Sequence, residues 1–205
     1  STTELSREHV VDDPVPGFVA IAGGKYTTYR VMAEDAVDQA VTDLRRLVPE
    51  SCTETVAIVG ADGYLVMMNK LAEVSREYGI TQKSVEHLLN RYGSLFEEVL
   101  EIGRDDHTML HRISDELPYL KAEIKYAVTH EGAMSVDDVL SRRTRIAFEA
   151  KDQGISIAAT VAEVIAPTLG WNEIEKRASI EDYRVKVQRQ NDLLINAVKE
   201  ESKVS

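Results

Sequence analysis

Apolar residues run unbroken over positions 18–22, stop at Gly23 and Gly24, and resume at three- and four-residue intervals through Met32, Ala33, Ala36, Val37, Ala40, Val41 and Leu44. The unbroken run predicts a short strand buried on both faces, and the later spacing predicts a helix with one apolar side. The two glycines between them permit backbone angles and close approaches that a Cβ forbids. Thr27 or Thr28 is the expected N-cap. No partner strand is evident within the chain, so the strand at 18–22 reads as an orphan.

Beyond Leu44 the period is helical almost throughout. Pro49-Glu50-Ser51 marks a linker, and 55–59 reads as a short extended piece leading into Gly60-Ala61-Asp62-Gly63. Residues 64–78 read as one helix stopped by Gly79. Thr81 caps the next, which carries Val85, Leu88 and Leu89 and ends at Gly93. Ser94 with Glu97 forms a capping-box pattern for a helix ending near Gly103. Helices are also predicted over 119–131, over 136–150 behind a Ser135/Asp138 cap, over 157–169, and from about Ile180 to Val198. The fold class is therefore mainly α: a helical bundle preceded by strand, turn and helix. The expected division is 1–50 and 51–205.

Across 205 residues the formal net charge is −11, and no basic stripe offsets it. Nucleic acid is excluded as an expected partner, because affinity for it comes from neutralising phosphates with Lys and Arg. Cys52 is the single cysteine, so no intrachain disulfide forms, which fits a reducing compartment. No apolar run approaches the length of a bilayer span and no secretory leader pattern opens the chain.

Candidate chemistry concentrates at Gly23-Gly24-Lys25-Tyr26-Thr27. A helix start offers unpaired N–H groups and the positive end of its dipole beside Lys25, which suits an anion or the edge of a cofactor. On spacing alone the turn equally serves as packing with a solvated lysine, since the longer phosphate-cradling pattern is absent. Gly60-Ala61-Asp62-Gly63 has the wrong glycine spacing for a nucleotide. His107 and His111 stand four apart without a third ligand, so no metal is expected, and neither His130 nor Cys52 has a motif around it. Trp171 reads as a core anchor. Arg142, Arg143 and Arg145 fall within about one helical turn, either pairing with neighbouring carboxylates or forming a docking patch.

The run Ala22-Gly23-Gly24-Lys25-Tyr26-Thr27-Thr28-Tyr29-Arg30, continued by Met32-Ala33-Glu34-Asp35-Ala36-Val37-Asp38, resembles a signature of the FAD-dependent glycerol-3-phosphate dehydrogenases. Glu123-Ile124-Lys125-Tyr126-Ala127-Val128 and the stretch from Val136 to Arg145 resemble that family's C-terminal helical domain, and Ser6-Arg7-Glu8-His9 resembles its segment just upstream of the signature. The Gly-x-Gly-x-x-Gly that binds FAD at the family's N-terminus does not occur here, so the resemblance implies the last part of a longer enzyme. Residues 1–50 would then be a remnant of the flavoprotein catalytic domain.

The resemblance implies oxidation of sn-glycerol 3-phosphate to dihydroxyacetone phosphate, with electrons passing through FAD to quinone. Lys25 is the expected contact to substrate or flavin, and Gly23, Gly24, Tyr26 and Thr27 are expected to line the isoalloxazine. Arg30, Arg142, Arg143 and Arg145 are the expected domain contacts, and His9 is assigned no catalytic role. The missing FAD domain is the implied partner, a homo-oligomer is left open, and the location implied is cytoplasmic or peripheral on the inner face of the membrane. The piece alone is expected to bind no FAD and to be inactive. Two alternatives stand beside this: an oxygen-using oxidase of the same family, and a free-standing helical interaction module. The orphan strand is the sequence argument against the module.

Overall fold

A computed structural model describes residues 8–44 and 46–204. Ser6 and Arg7, part of the upstream stretch singled out above, lie outside the described residues. The chain divides into two compact units, one through Ile58 and one from Val59.

In the first unit β1 (His9–Val15) and β2 (Phe18–Gly23) form an antiparallel hairpin, in the register His9↔Gly23, Val10↔Ala22, Val11↔Ile21, Asp12↔Ala20 and Val15↔Phe18. The strand at 18–22 is therefore not an orphan. Pro16-Gly17 makes the turn, with Gly17 at φ 80°, the proline-then-glycine order that a type II turn favours. Nor is the strand buried on both faces: Phe18 is 56% exposed. α1 (Tyr29–Val41) follows a 3-10 turn over Tyr26–Thr28. Among the described residues of this unit none is buried.

The second unit is helical, and mainly helical describes the whole described chain. No strand forms over 55–59; a turn closes instead through Thr55 N–H to Cys52 O at 3.0 Å. The single helix expected over 64–78 is two, α2 (Tyr64–Met68) and α3 (Leu71–Tyr78). Asn69 parts them, its side chain donating back to Leu65 O, the local competition with the helix ladder for which asparagine is known. α4 (Gln82–Tyr92) starts at Thr81, whose hydroxyl accepts from Ser84 N–H at 3.1 Å. α5 (Phe96–Asp105) begins from a 3-10 turn over Gly93–Leu95, and the Ser94/Glu97 box does not cap it: Ser94 N–H donates to Gly60 O instead.

α6 (Lys121–Thr129) is central, giving Ala122 and Tyr126 to a core built with α3, α4 and α5, and Ile124 and Ala127 to a second core shared with Val161, Ile165, Tyr183 and Val187. The Ser135/Asp138 cap forms in both directions, at 2.9 and 3.0 Å. The helix expected behind it does not run to Ala150, however. It widens into a π-helical stretch over Asp138–Arg143 and stops where the Thr144 hydroxyl and N–H both bond Val139 O; α7 (Ile146–Glu149) follows. α8 (Ala158–Leu169) matches its expected span, with Trp171 partly buried against the second core. α9 (Glu173–Val204) starts well before Ile180, because Asn172 Oδ1 caps the N–H groups of Ile174 and Glu175.

Candidate functional site

The turn that leaves β2 takes its path from two left-handed residues, Gly23 at φ 80° and Gly24 at φ 77°. A Cβ on Gly23 would lie 2.8 Å from the Glu8 carbonyl oxygen, and one on Gly24 would lie 2.5 Å from Met32 Sδ and 3.2 Å from His9 Cβ. The glycines are thus required by the approach of this chain's own β1 and α1. Thr28 closes the 3-10 turn, accepting from Lys25 N–H at 3.3 Å and donating its hydroxyl to Lys25 O at 3.0 Å. It therefore stands just ahead of α1 as expected but does not cap it with its side chain, and the first N–H groups of that helix keep their positive potential.

Lys25, Tyr26 and Thr27 are all exposed, Tyr26 at 93%. Lys25 forms no ion pair among the described residues. Arg30 is occupied: its Nη1 reaches Glu34 Oε2 at 2.5 Å and Thr53 Oγ1 at 3.2 Å. The structure therefore brings Gly23, Gly24, Lys25, Tyr26 and Thr27 together on one turn and directs Arg30 into contacts within its own unit.

In the helical unit the three arginines behave differently from one another. Arg142 is bonded to Asp137 at 2.6 Å and to Asp138 at 2.9 Å. Burial alone would raise Asp137, but hydrogen bonds from Lys186, Ser141 and Arg142 outweigh it and hold the carboxyl below its ordinary value. Arg143 Nε donates to Glu131 O at 2.8 Å. Arg145 is the free-standing member, 74% exposed with only a 3.8 Å approach to Glu149.

Sequence reasoning missed a polar cluster inside that unit. The Glu123 carboxylate is fully buried, takes the Leu120 N–H at 2.7 Å, and lies 3.2 Å from His87 Nε2 and 3.1 Å from Arg91 Nε. Tyr92 OH donates to it at 3.3 Å. Arg91 also lies over the rings of Tyr92 and Tyr119 and donates to Arg143 O at 2.5 Å. The pairing signals were His87 and Arg91 one helical turn apart on α4 and a glutamate at the third position of α6. His107 and His111 meet only edge to face at 6.1 Å, and no group of metal-ligand residues forms among the described residues.

A family model described as the C-terminal domain of alpha-glycerophosphate oxidase matches residues 51–176. Glycerol-3-phosphate dehydrogenase 2 of Mycobacterium tuberculosis is 46% identical over 187 residues, which are 91% of this chain and 32% of that protein. The mitochondrial glycerol-3-phosphate dehydrogenase of Mesocricetus auratus is 35% identical over 184 residues, 88% of this chain and 25% of its own. The X-ray structure of the glycerol-3-phosphate dehydrogenase from Bacillus halodurans complexed with FAD matches with a TM-score of 0.67 at 25% identity, covering 83% of this chain and 35% of that one. This chain spans between a quarter and about a third of the length of these relatives.

Proposed function

Because the chain belongs to the family of the C-terminal domain of alpha-glycerophosphate oxidase, as the C-terminal region of an FAD-dependent glycerol-3-phosphate dehydrogenase, we propose that it serves a flavoenzyme oxidising sn-glycerol 3-phosphate to dihydroxyacetone phosphate. The observation that carries this reading is the exposed Lys25, without an ion pair among the described residues, on a turn fixed by two left-handed glycines at the start of α1. The absence of any buried residue among the described positions of the first unit supports the accompanying assignment of residues 1–50 to the end of a larger FAD and substrate domain, with 51–205 as the helical domain. A hairpin and one helix without a core do not suit a free-standing module.

The residues present fit the edge of a flavin better than its nucleotide tail. The lysine ammonium and the N–H groups at the start of α1 offer positive potential, while the Cβ sites of both glycines are filled by Glu8 and Met32. FAD, when bound, supplies the hydride acceptor. Lys25 would donate a hydrogen bond to the reacting oxygen or to the flavin edge and stabilise negative charge there as it develops. Gly23, Gly24, Tyr26 and Thr27 would line the ring mainly through their backbone. In this reading the proton acceptor and the phosphate-binding arginines belong to the preceding region, and the isolated chain neither holds FAD nor turns over.

Docking against that region is assigned first to Arg145, whose guanidinium is the least engaged of the three. Quinone is the proposed electron acceptor, in a cytoplasmic enzyme with peripheral membrane contact. No helix among the described residues is long and apolar enough to cross a membrane. The oxidase reading is kept because the family's own description names an oxidase.

The test uses the protein that joins this chain to a preceding FAD-binding region. Flavin absorbance and glycerol-3-phosphate-dependent dye reduction are expected, with Lys25→Ala lowering kcat roughly 100- to 1,000-fold, the range for losing one preorganised donor. Full activity in Lys25→Ala removes the site assignment, and a folded protein with neither flavin nor turnover removes the function. Peroxide formation under air in place of quinone-analogue reduction decides for the oxidase.

A further inference from the structure

The Lys25 turn is held from outside itself. His9 stands opposite Gly23 in the hairpin, and its Nε2 lies 2.6 Å from Asp35 Oδ2 on α1. Four residues along β1, Asp13 Oδ2 accepts from Gln39 Nε2 of α1 at 3.2 Å, one helical turn beyond Asp35. These two rungs join the same strand to the same helix, and the His9–Asp35 rung lies at the turn.

At that point the chain passes through a slot. Glu8 O and His9 Cβ form one wall, 2.8 and 3.2 Å from the Cβ positions that Gly23 and Gly24 lack, and Met32 Sδ forms the other at 2.5 Å. The first wall is the start of β1 with the residue before it, and the second is α1. The His9–Asp35 bond is a polar contact that joins the two beside the slot. Its side chains are 17% and 48% exposed, so it adds little to folding stability as an ion pair. Its leverage is geometric, because both walls set the backbone that carries Lys25.

We propose that His9 and Asp35 are positioning residues for Lys25: their bond fixes the spacing between β1 and α1 and so the place from which the lysine reaches substrate or flavin edge. The proposal rests on the reading of Lys25 given above. A group that stabilises charge developing in a reaction has to be held within about 0.5 Å of its productive place. A misplacement of about 1 Å costs up to about 100-fold in rate.

In the protein carrying the FAD-binding region, Asp35→Ala is expected to lower kcat roughly 10- to 100-fold with flavin content unchanged. Asp35→Asn keeps an acceptor for the imidazole N–H and is expected to recover most of that loss. In a Lys25→Ala background Asp35→Ala is expected to have no further effect, which a merely structural role would not produce. Amide exchange at Gly24, Lys25 and Tyr26 is expected to quicken in Asp35→Ala while exchange in α4 and α6 stays as it was. An active, flavin-bearing protein indifferent to Asp35→Ala, equal losses with and without Lys25, or unchanged exchange at the turn overturns the proposal alone. Absence of flavin and turnover in the unsubstituted protein overturns it together with the functional reading.

Discussion

Among single residues, Glu131 has surroundings that conflict with its charge. Its Oε2 is buried without a hydrogen-bond partner among the described residues, and its own backbone carbonyl is taken by Arg143. Burial pushes the carboxyl above its ordinary value; Arg91 and Arg143 pull it back, Glu123 adds to the rise, and His130 opposes it. The folded chain therefore holds this proton more tightly than the unfolded chain. Below the unfolded value of about 4.3 both states are protonated and the residue costs nothing extra. As pH rises from there through the raised folded value, stability is lost, and above it the loss is constant. Glutamine cannot ionise, so Glu131→Gln is expected to gain on the parent across that window and to keep a fixed advantage at higher pH. Parallel urea titrations from pH 4 to pH 8 read the difference directly and cancel the opposite contributions of Asp137 and Asp138, both held below their ordinary values. A difference that shrinks as pH rises would mean that the arginines outweigh burial.

Elements built on local signals were legible, and those decided by distant contacts were not. The Thr81 and Ser135 caps, the helix over 158–169 and the helix after the glycine pair all stand where period and cap residues placed them. The hairpin was missed although Pro16-Gly17 lies between two apolar runs, because Asp12, Asp13 and Pro14 break the first run and obscure its period. Within the candidate site the lysine turn was visible as a motif. The His9–Asp35 bond was not, since the two residues are 26 positions apart and only the folded hairpin brings them together. The break after α4 shows the same limit. Gly93 reads as an ordinary helix stop, yet it is where the backbone crosses Gly60: a Cβ on Gly93 would overlap the Gly60 carbonyl, one on Gly60 would lie 2.5 Å from Tyr92 O, and the crossing is bonded by Ser94 N–H. Gly93→Ala is therefore expected to destabilise by more than the ~1–3 kcal/mol of its backbone strain. Gly132 is the control. It also has positive φ, at 69°, but a Cβ there meets nothing within 4 Å, so Gly132→Ala is expected to cost only the ~1–2 kcal/mol of the left-handed conformation. Equal urea midpoints for the two variants would show that the crossing can relax.

For the whole molecule the governing contrast is between its charge and its uncovered apolar surface. The second unit buries two cores, whereas the first leaves Val10, Val15, Phe18, Val37 and Leu47 in water, Leu47 at 98% exposure. Exposed apolar side chains are ordinary when scattered. Here they coincide with a unit in which no described residue is buried, the condition expected of a surface made to be covered. The net charge of −11 opposes contact between copies at low ionic strength. Salt removes that opposition, since the screening length falls from about 30 Å at 0.01 M to about 3 Å at 1 M, while apolar contact is not weakened. On the proposed function, the isolated chain is therefore expected to self-associate more than a protein that joins it to a preceding FAD-binding region, and by a margin that widens with sodium chloride. Light scattering of both at matched concentration measures this. Equal monomer content at every salt concentration would mean that the first unit needs no cover, and its assignment to the larger catalytic domain would lose its structural support.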